Sequence, residues 1–185
     1  MRVFVSLVFI CNIVFANYSE LDIANTIKKY AKEYDIDQRI LYTIAKIESG
    51  FNPKVIAFVS ETKNPLKFNK VKVKVAKYKD KYLISLYPHS KQKSIELAKQ
   101  IIGAGYKIDI GLFQINSVNF KYNEIEKMFN IEYNTKKAIE VLNFCSSKKQ
   151  TFKNTIECYN KGLKSNTNFD YYFKFKNSFI KDFAW

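Results

Sequence analysis

One carboxylate, that of Glu48, falls on the apolar face of a predicted helix and limits how this part of the chain can fold. The apolar residues before it recur at the spacing of a core-facing helical surface: Ile40, Leu41, Ile44 and Ala45. At about 100° per residue, position 48 lies on the same surface, so we expect Glu48 to point inward. The alternative is that a glutamate in the last helical turn reaches solvent around the helix end.

An inward-facing carboxyl group has a chemical consequence. In contact with apolar side chains the charged form loses hydration, so the pKa rises and the group can hold a proton near neutral pH. A general acid in catalysis needs this property. Glu48 is therefore a candidate catalytic acid.

The first residues are typical of a secretory signal peptide. An almost unbroken apolar run covers residues 3–15, and Val14-Phe15-Ala16 supplies small residues at the usual cleavage spacing. The run is short for a transmembrane helix, although an uncleaved anchor is the alternative. With no second long apolar segment, we expect residues 1–16 to be removed and residues 17–185 to form one exported domain without stable membrane insertion.

Cleavage after Ala16 would remove Cys11 and leave Cys145 and Cys158. In an oxidising compartment this pair is a disulfide candidate, and the alternative is two buried free thiols. A zinc site is disfavoured because His89 is the only histidine and no C-x-x-C spacing occurs. We expect no metal and no cofactor.

The formal net charge of +14 comes almost entirely from lysines spread along the chain. Arg2 and Arg39 are the only arginines, whereas bidentate reading of bases favours arginine. Nucleic-acid binding is therefore disfavoured. An exported basic protein fits better with an anionic envelope surface or polymer.

The hydrophobic spacing predicts a mainly helical chain with one β-hairpin. Valines alternate with lysines from Val71, and apolar residues alternate again up to Leu86, as in a hairpin with one polar face. This hairpin is either one lip of a cleft or a partner surface. The predicted helices cover residues 19–34, the Glu48 helix from near Asp37, and residues 90–103, 124–129, 135–146, 152–159 and 170–183.

Two further segments combine glycine with hydrogen-bonding side chains. Residues 111–116 join Gly111 to the amides of Gln114 and Asn116, and residues 158–162 place a phenol and an amide at a predicted helix end. Each segment alone also fits a capped helix end. Their order along the chain after Glu48 is more specific.

Together the three segments resemble the motifs of lysozyme-like lytic transglycosylases. Residues 48–53 match the glutamate-serine motif with its aromatic residue, asparagine and proline. Residues 111–115 match the glycine-leucine-methionine-glutamine-isoleucine motif with Phe113 in place of methionine. Residues 158–162 match the alanine-tyrosine-asparagine-alanine-glycine motif with Cys158 in place of the first alanine.

The resemblance covers roughly residues 21–164 and implies a mainly α, lysozyme-like (α+β) domain with one small β-hairpin. Residues 105–112 also look like the branch of the family that accompanies type IV secretion and conjugation machines. Ile110 stands where many relatives have serine, so one substrate contact would be missing. Envelope-spanning secretion machinery is thus an implied partner, in addition to peptidoglycan glycan strands.

The reaction implied by the resemblance is cleavage of the β-1,4 bond between N-acetylmuramic acid and N-acetylglucosamine in peptidoglycan. Glu48 would protonate the glycosidic oxygen and then act as base on the muramyl 6-hydroxyl, which leaves a 1,6-anhydro end. The reaction consumes no water. It places the protein in the periplasm or outside the cell.

The resemblance also implies roles for the other motif residues. Gln114 and Asn160 would hold sugar amides and hydroxyls, and Tyr159 would lie close to the catalytic glutamate. Phe113 would supply an apolar wall. Ser49 would contact substrate, or it would tie down the helix end through its hydroxyl.

Two other functions stay open at this point. A lysozyme-type hydrolase of the same fold would use Asp109 to position water; Asp109 and Glu61 are the candidates for a second acid, although neither lies within a matched catalytic motif. A non-catalytic wall-binding or secretion-assembly protein would bind glycan without turnover. The chemical nature of the product, anhydro, reducing or absent, separates these three functions.

Overall fold

The computed structural model describes residues 18–164 and 168–183. In this part the chain forms seven α-helices and one five-stranded antiparallel sheet. The predicted signal peptide, residues 1–16, lies outside the described residues. Within the described ranges, no helix is long and apolar enough to cross a membrane.

The first two helices agree with the predictions from the sequence. Helix α1 spans Glu20–Glu33 and begins with a capping box between Ser19 and Asp22. Helix α2 spans Gln38–Ser49, and the Asp37 side chain accepts a hydrogen bond from the backbone N–H of Arg39. Gly50 follows in the left-handed conformation, which ends the helix directly after the segment that carries Glu48.

Five more helices follow: α3 (Lys91–Gly103), α4 (Ile125–Met128), α5 (Ile131–Lys148), α6 (Phe152–Lys161) and α7 (Asp170–Phe183). Each confirms a predicted helix, with differences at the ends. Helix α5 is longer at both ends than the predicted 135–146. Its start is fixed by Asn130, whose side chain accepts a hydrogen bond from the backbone N–H of Tyr133.

The sheet is larger than the predicted hairpin. Its strands are β1 (Ile56–Ser60), β2 (Lys72–Tyr78), β3 (Lys81–Tyr87), β4 (Ile108–Ile110) and β5 (Ile115–Asn116). The spatial order is β2-β3-β1-β4-β5. The hairpin of β2 and β3 is confirmed, but it forms one edge of a continuous sheet rather than an isolated unit.

One face of the sheet belongs to the hydrophobic core, and we call it the core face. Six of its residues on the three central strands are at most 1% exposed: Ile56, Phe58, Ile84, Leu86, Ile108 and Ile110. Leu41 and Ile44 of α2 are fully buried in the same core. The helix that carries Glu48 and the sheet are therefore fixed relative to each other by a shared core.

A disulfide joins Cys145 in α5 to Cys158 in α6, across a sequence separation of 13 residues. The structure thus contains the bridge rather than two free thiols. Closing a loop of this length stabilises the folded state by about 3 kcal/mol in the chain-entropy account. It fixes α6, which carries Tyr159, against the longest helix.

Candidate active site

Glu48 is the penultimate residue of α2 and meets α7 at this point. Its Oε1 accepts a hydrogen bond of 2.5 Å from the hydroxyl group of Tyr171, near the start of α7. Tyr171 itself is only 6% exposed. The predicted inward direction of Glu48 therefore agrees with the structure, and its partner is a tyrosine from the last helix.

The surroundings of Glu48 change its acidity. The residue is partly exposed, yet burial of its carboxyl raises the pKa from 4.5 to about 7. The hydrogen bond from Tyr171 and the charge of Lys174 act in the opposite direction, and the charge of Asp109 adds to the rise. Glu48 thus exchanges its proton near neutral pH while it stays in contact with solvent.

Asp109 lies on β4, close enough to Glu48 for its charge to raise the pKa of that carboxyl. Burial raises the pKa of Asp109 to about 6, while a 2.8 Å hydrogen bond from the Asn116 amide lowers it. Glu61, the other candidate second acid, has a side chain that is 71% exposed and forms an ion pair with Lys81 at 2.5 Å. Of the two candidate second acids, Asp109 is therefore the one whose charge acts on Glu48.

A tight backbone segment begins at Gly111, whose φ of +83° favours glycine. A Cβ atom at this position would lie 2.7 Å from both the Met128 carbonyl oxygen and the Asn134 Cγ. Asn134, on α5 and 1% exposed, donates to the carbonyl of Ile110 at 3.2 Å and accepts from the N–H of Phe113 at 2.8 Å. Glycine at 111 and asparagine at 134 therefore hold this loop together.

Gln114 ends the segment, with an unusual φ of +47°. Its Nε2 donates to the carbonyls of Gly111 at 2.8 Å and Val55 at 3.1 Å. Within the described residues, its Oε1 accepts no hydrogen bond, and the side chain is partly exposed. The Gln114 amide is thus held through its nitrogen atom, and its oxygen atom can accept a hydrogen bond from a ligand.

Ser49 and Tyr159 both bind the backbone of the same segment. The Ser49 hydroxyl donates to the carbonyl of Leu112 at 2.7 Å, and the Tyr159 hydroxyl donates to the carbonyl of Phe113 at 2.9 Å. Burial and the charge of Glu48 raise the pKa of Tyr159 well above 10, so its hydroxyl keeps the proton that it donates. These two bonds join α2 and α6 to the loop that carries Gln114.

Phe113 does not have the position that its implied role as an apolar wall requires, and within the described ranges Asn160 lies outside the hydrogen-bond network around Glu48. Phe113 is fully buried, so its side chain presents no surface to a sugar, and it contributes to the site through its backbone carbonyl. Asn160 is exposed at the end of α6. In the described part of the chain, no hydrogen bond joins its side chain to the network around Glu48.

The motifs did not identify Tyr171 or Asn134. Tyr171, Phe175 and Phe179 follow each other at intervals of four, which marks one apolar face of α7. A tyrosine on such a face needs a partner for its hydroxyl group, and this is the signal that could have drawn attention to it. Nothing comparable distinguishes Asn134 from other asparagines in the sequence.

Two cavities lie away from this site. One of about 510 Å³ is bordered by Tyr30, Asn130 and Tyr133, and another of about 350 Å³ by Ile40 and Phe175. Neither is bordered by Glu48 or Asp109. Among the described residues, no group of three or more His, Cys, Asp or Glu side chains could hold a metal ion.

The geometry therefore joins a protonatable carboxyl group, a second carboxyl group and a constrained amide loop. A family model described as "Transglycosylase SLT domain" matches residues 25–179 of the chain. The match includes α2, the Gly111 loop, α6 and most of α7. Neither the comparison with curated proteins nor that with solved structures found a significant match.

Proposed function

Because the chain belongs to the transglycosylase SLT domain family, whose substrate is peptidoglycan, we propose that it cleaves the bond between N-acetylmuramic acid and N-acetylglucosamine and leaves a 1,6-anhydro end. The observation that carries the proposal is the state of Glu48. Its carboxyl has a pKa of about 7, stays partly accessible and accepts a hydrogen bond from Tyr171. One group can then serve as acid and as base at the same pH.

In the first step Glu48 gives its proton to the glycosidic oxygen as the bond from that oxygen to the muramyl C1 breaks. The N-acetylglucosamine leaves with a free 4-hydroxyl group. Positive charge develops at C1, and the N-acetyl group of the substrate stabilises it. The Tyr171 hydroxyl donates to the carboxylate that forms on Glu48.

In the second step the Glu48 carboxylate takes the proton of the muramyl 6-hydroxyl, and that oxygen forms the new bond to C1. Glu48 regains its proton, so the cycle closes without water and without a cofactor. The 1,6-anhydro ring is the product. Because the nucleophile belongs to the substrate, no second protein carboxylate has to activate water.

The other residues have supporting roles in this proposal. Ser49 and Tyr159 hold the backbone at 112–113, which keeps the loop in register with Glu48. Gln114 accepts a hydrogen bond from a sugar amide or hydroxyl through Oε1. Asn160 contacts sugars farther along the strand, at the exposed end of α6.

A lysozyme-type hydrolase is the second candidate, and the nearness of Asp109 to Glu48 favours it. In that reaction Asp109 would position a water molecule, and the product would have a reducing end. The side chain of Asp109 is partly exposed and its pKa is raised, which fits either a role with water or a passive role beside the substrate.

The test is digestion of purified peptidoglycan by residues 17–185, with Glu48→Gln and Asp109→Asn as matched variants that keep side-chain size. Mass spectrometry should identify anhydromuropeptides from the wild type and from Asp109→Asn, and no product from Glu48→Gln. Reducing ends that disappear in Asp109→Asn would establish the hydrolase instead. Binding of sacculi by all three proteins without any product would indicate a non-catalytic wall-binding protein.

The proposal extends to location and partner. We infer that residues 1–16 direct export and are removed, so that the enzyme works in the periplasm or outside the cell, where the disulfide can form. The likeness of residues 105–112 supports a role in local wall opening for a type IV secretion or conjugation machine. N-terminal sequencing of exported protein tests the first part, since a chain that still begins at Met1 would contradict it.

A further inference from the structure

The sheet has a second face, opposite the core face, which we call the Asp109 face. Strand alternation places Asp109 on it, because Ile108 and Ile110 point into the core. The 2.8 Å bond between the side chains of Asp109 and Asn116 joins a directly opposed pair on this face. Ser49, the neighbour of Glu48, donates to the carbonyl of Leu112, two residues beyond the end of β4, so the Glu48 end of α2 lies beside the strand that carries Asp109.

The strand register extends this face from the active site to the hairpin. Asp109 is opposite Ala57, Ala57 is opposite Ser85, and Ser85 is opposite Lys74. With about 4.8 Å between neighbouring strands, Lys74 is roughly 14 Å from Asp109, the span of a short oligosaccharide. One face of the sheet therefore leads from Asp109 to the outer strand β2, with Ala57 buried and Ser85 half-buried along it.

The outer part of this surface carries positive charge and an aromatic ring. Lys72 and Lys74 alternate onto the Asp109 face, whereas Val73 and Val75 continue the core face. The Lys74 ammonium group lies 5.1 Å from the ring centroid of Tyr87, a diagonal neighbour, which confirms that the two side chains share a face. Both lysines are exposed.

These two lysines have no acidic partner among the described residues. The ion pairs there involve other groups, including Lys81, which lies on the same face but is paired with Glu61 at 2.5 Å. Lysine on an edge strand also discourages pairing between sheets of different molecules. That protection does not depend on the face, since Lys77 of the same strand lies on the core-face side, and it does not exclude a further role for Lys72 and Lys74.

We propose that the Asp109 face at β2 and β3 binds the acidic peptide stems of the peptidoglycan strand whose sugars lie at Glu48. The proposal rests on the proposed function, because it takes peptidoglycan as the ligand. Stem peptides carry free carboxylates, which complement the ammonium groups of Lys72 and Lys74. Continuity of the face with the catalytic site selects a substituent of the same polymer rather than a separate partner. The hairpin is therefore one lip of the substrate-binding surface.

The experiment measures binding in the Glu48→Gln background, so that strands are not cut. The probes are soluble, uncross-linked peptidoglycan strands with intact stem peptides and the same strands after an amidase has removed the peptides. The test variant is Lys72→Ala/Lys74→Ala. The matched control is Lys63→Ala/Lys77→Ala, which removes the same charge from the other side, since Lys77 and Tyr82 are opposed on the core-face side and Lys63 lies 5.6 Å from the Tyr82 ring centroid.

We expect Lys72→Ala/Lys74→Ala to bind peptide-bearing strands about five- to tenfold more weakly and peptide-free strands unchanged, as two exposed ion pairs would predict. The control variant should bind both probes about as tightly as the Glu48→Gln protein does. Lys72→Arg/Lys74→Arg should retain binding. Unchanged binding by the alanine variant, or equal weakening on both probes, would overturn the proposal. Absence of anhydro product from the wild type would refute the proposed reaction but would leave this peptide-dependent difference measurable.

Discussion

At the scale of single residues, opposing influences set the acidity of Glu48. Burial raises the pKa of its carboxyl, and the hydroxyl of Tyr171 and the charge of Lys174 partly offset that rise. Lys174 also donates to the carbonyl of Ile47 at 3.0 Å, so α7 holds both offsetting groups against the end of α2. The acidity of Glu48 therefore depends on how α7 packs against the end of α2.

Replacement of Tyr171 by phenylalanine tests this dependence. Loss of the hydroxyl removes an interaction that favours the charged carboxylate, so the pKa of Glu48 should rise. Activity that requires protonated Glu48 should then persist to higher pH, and the alkaline limb of the profile of kcat/KM should move upward. The rate at the optimum should fall about tenfold, because a hydrogen bond to the carboxylate formed in the reaction is lost.

Tyr172→Phe is the matched control, since it removes a neighbouring tyrosine hydroxyl from the same helical turn. Tyr172 is half-buried, and none of the described residues forms a hydrogen bond with its hydroxyl group. Its pH profile should coincide with that of the wild type. A Tyr171→Phe profile with an unmoved or lowered alkaline limb would contradict the assignment of Tyr171 as the partner of Glu48.

The residues that belong to motifs were accessible to prediction, because each motif is local. Glu48, Ser49 and Gln114 lie in two short segments whose chemistry can be read without knowledge of the fold. Tyr171 and Asn134 act through contacts made 123 residues and 21 residues away along the chain. Such contacts depend on helix packing, which the spacing of apolar residues predicts only as a face and not as a partner.

At the scale of helices and strands, a buried glutamate holds the start of α7. Glu157 of α6 is 1% exposed, and its Oε2 accepts a hydrogen bond of 2.7 Å from the backbone N–H of Tyr172. This N–H belongs to the first turn of α7, where backbone donors have no partner within the helix. The other carboxylate oxygen of Glu157 forms an ion pair with Lys161. The carboxylate thus fixes the turn that also carries Tyr171.

Glu157→Ala should therefore act on catalysis as well as on stability. An unpaired N–H at the start of α7 should lower the free energy of unfolding by about 2 kcal/mol. Displacement of this turn should weaken the bond from Tyr171 to Glu48 and move the alkaline limb of the pH profile in the same direction as Tyr171→Phe. Glu157→Gln keeps an acceptor and should show smaller effects on both quantities.

The control for this prediction lies at the other end of the same helix. Asp182 forms an ion pair with Lys46 of α2 at 2.6 Å, so Asp182→Ala loosens α7 away from Tyr171. It should reduce the melting temperature without a change in the pH profile. If Glu157→Ala also reduced only the melting temperature, the glutamate would stabilise the fold without positioning Tyr171.

The helices were easier to predict than the strands, for a physical reason. A helix such as α7 shows several turns of apolar spacing, whereas β4 and β5 contain three and two residues. Runs this short cannot show alternation, and they form strands because β4 pairs with β1 and β5 pairs with β4. The hairpin was visible because apolar residues alternate in part of each seven-residue strand, at Val73 and Val75 in β2 and at Tyr82, Ile84 and Leu86 in β3.

At the scale of the whole molecule, the predicted mainly helical, lysozyme-like architecture is confirmed, and the family match covers most of it. The relation of the hairpin to Asp109 in the candidate active site required the structure. The order β2-β3-β1-β4-β5 places β1 between the hairpin and β4 in space, although β1 precedes the hairpin in the chain. Only this order makes the hairpin continuous with the surface at Asp109.

The two carboxyl groups of the candidate active site also make the stability of the whole molecule depend on pH. Folding raises the pKa of Glu48 from 4.5 to about 7 and that of Asp109 from 3.8 to about 6. The folded state therefore binds more protons than the unfolded state between pH 4 and 7. Each group contributes stability that is fully present below its unfolded pKa and is lost as the pH rises through its folded pKa.

Glu48→Gln removes one of these groups without a large change in volume, so its advantage over the wild type should grow with pH. From pH 5 to pH 8 we expect the difference in the free energy of unfolding between variant and wild type to change by on the order of 2 kcal/mol in favour of the variant. Urea denaturation of both proteins at the two pH values measures it, with Glu61→Gln as the exposed control. Parallel stability curves for Glu48→Gln and wild type would mean that folding does not raise the pKa of Glu48. That outcome would remove the basis for its role as the acid, since a glutamate that is fully ionised at neutral pH has no proton to give to the glycosidic oxygen.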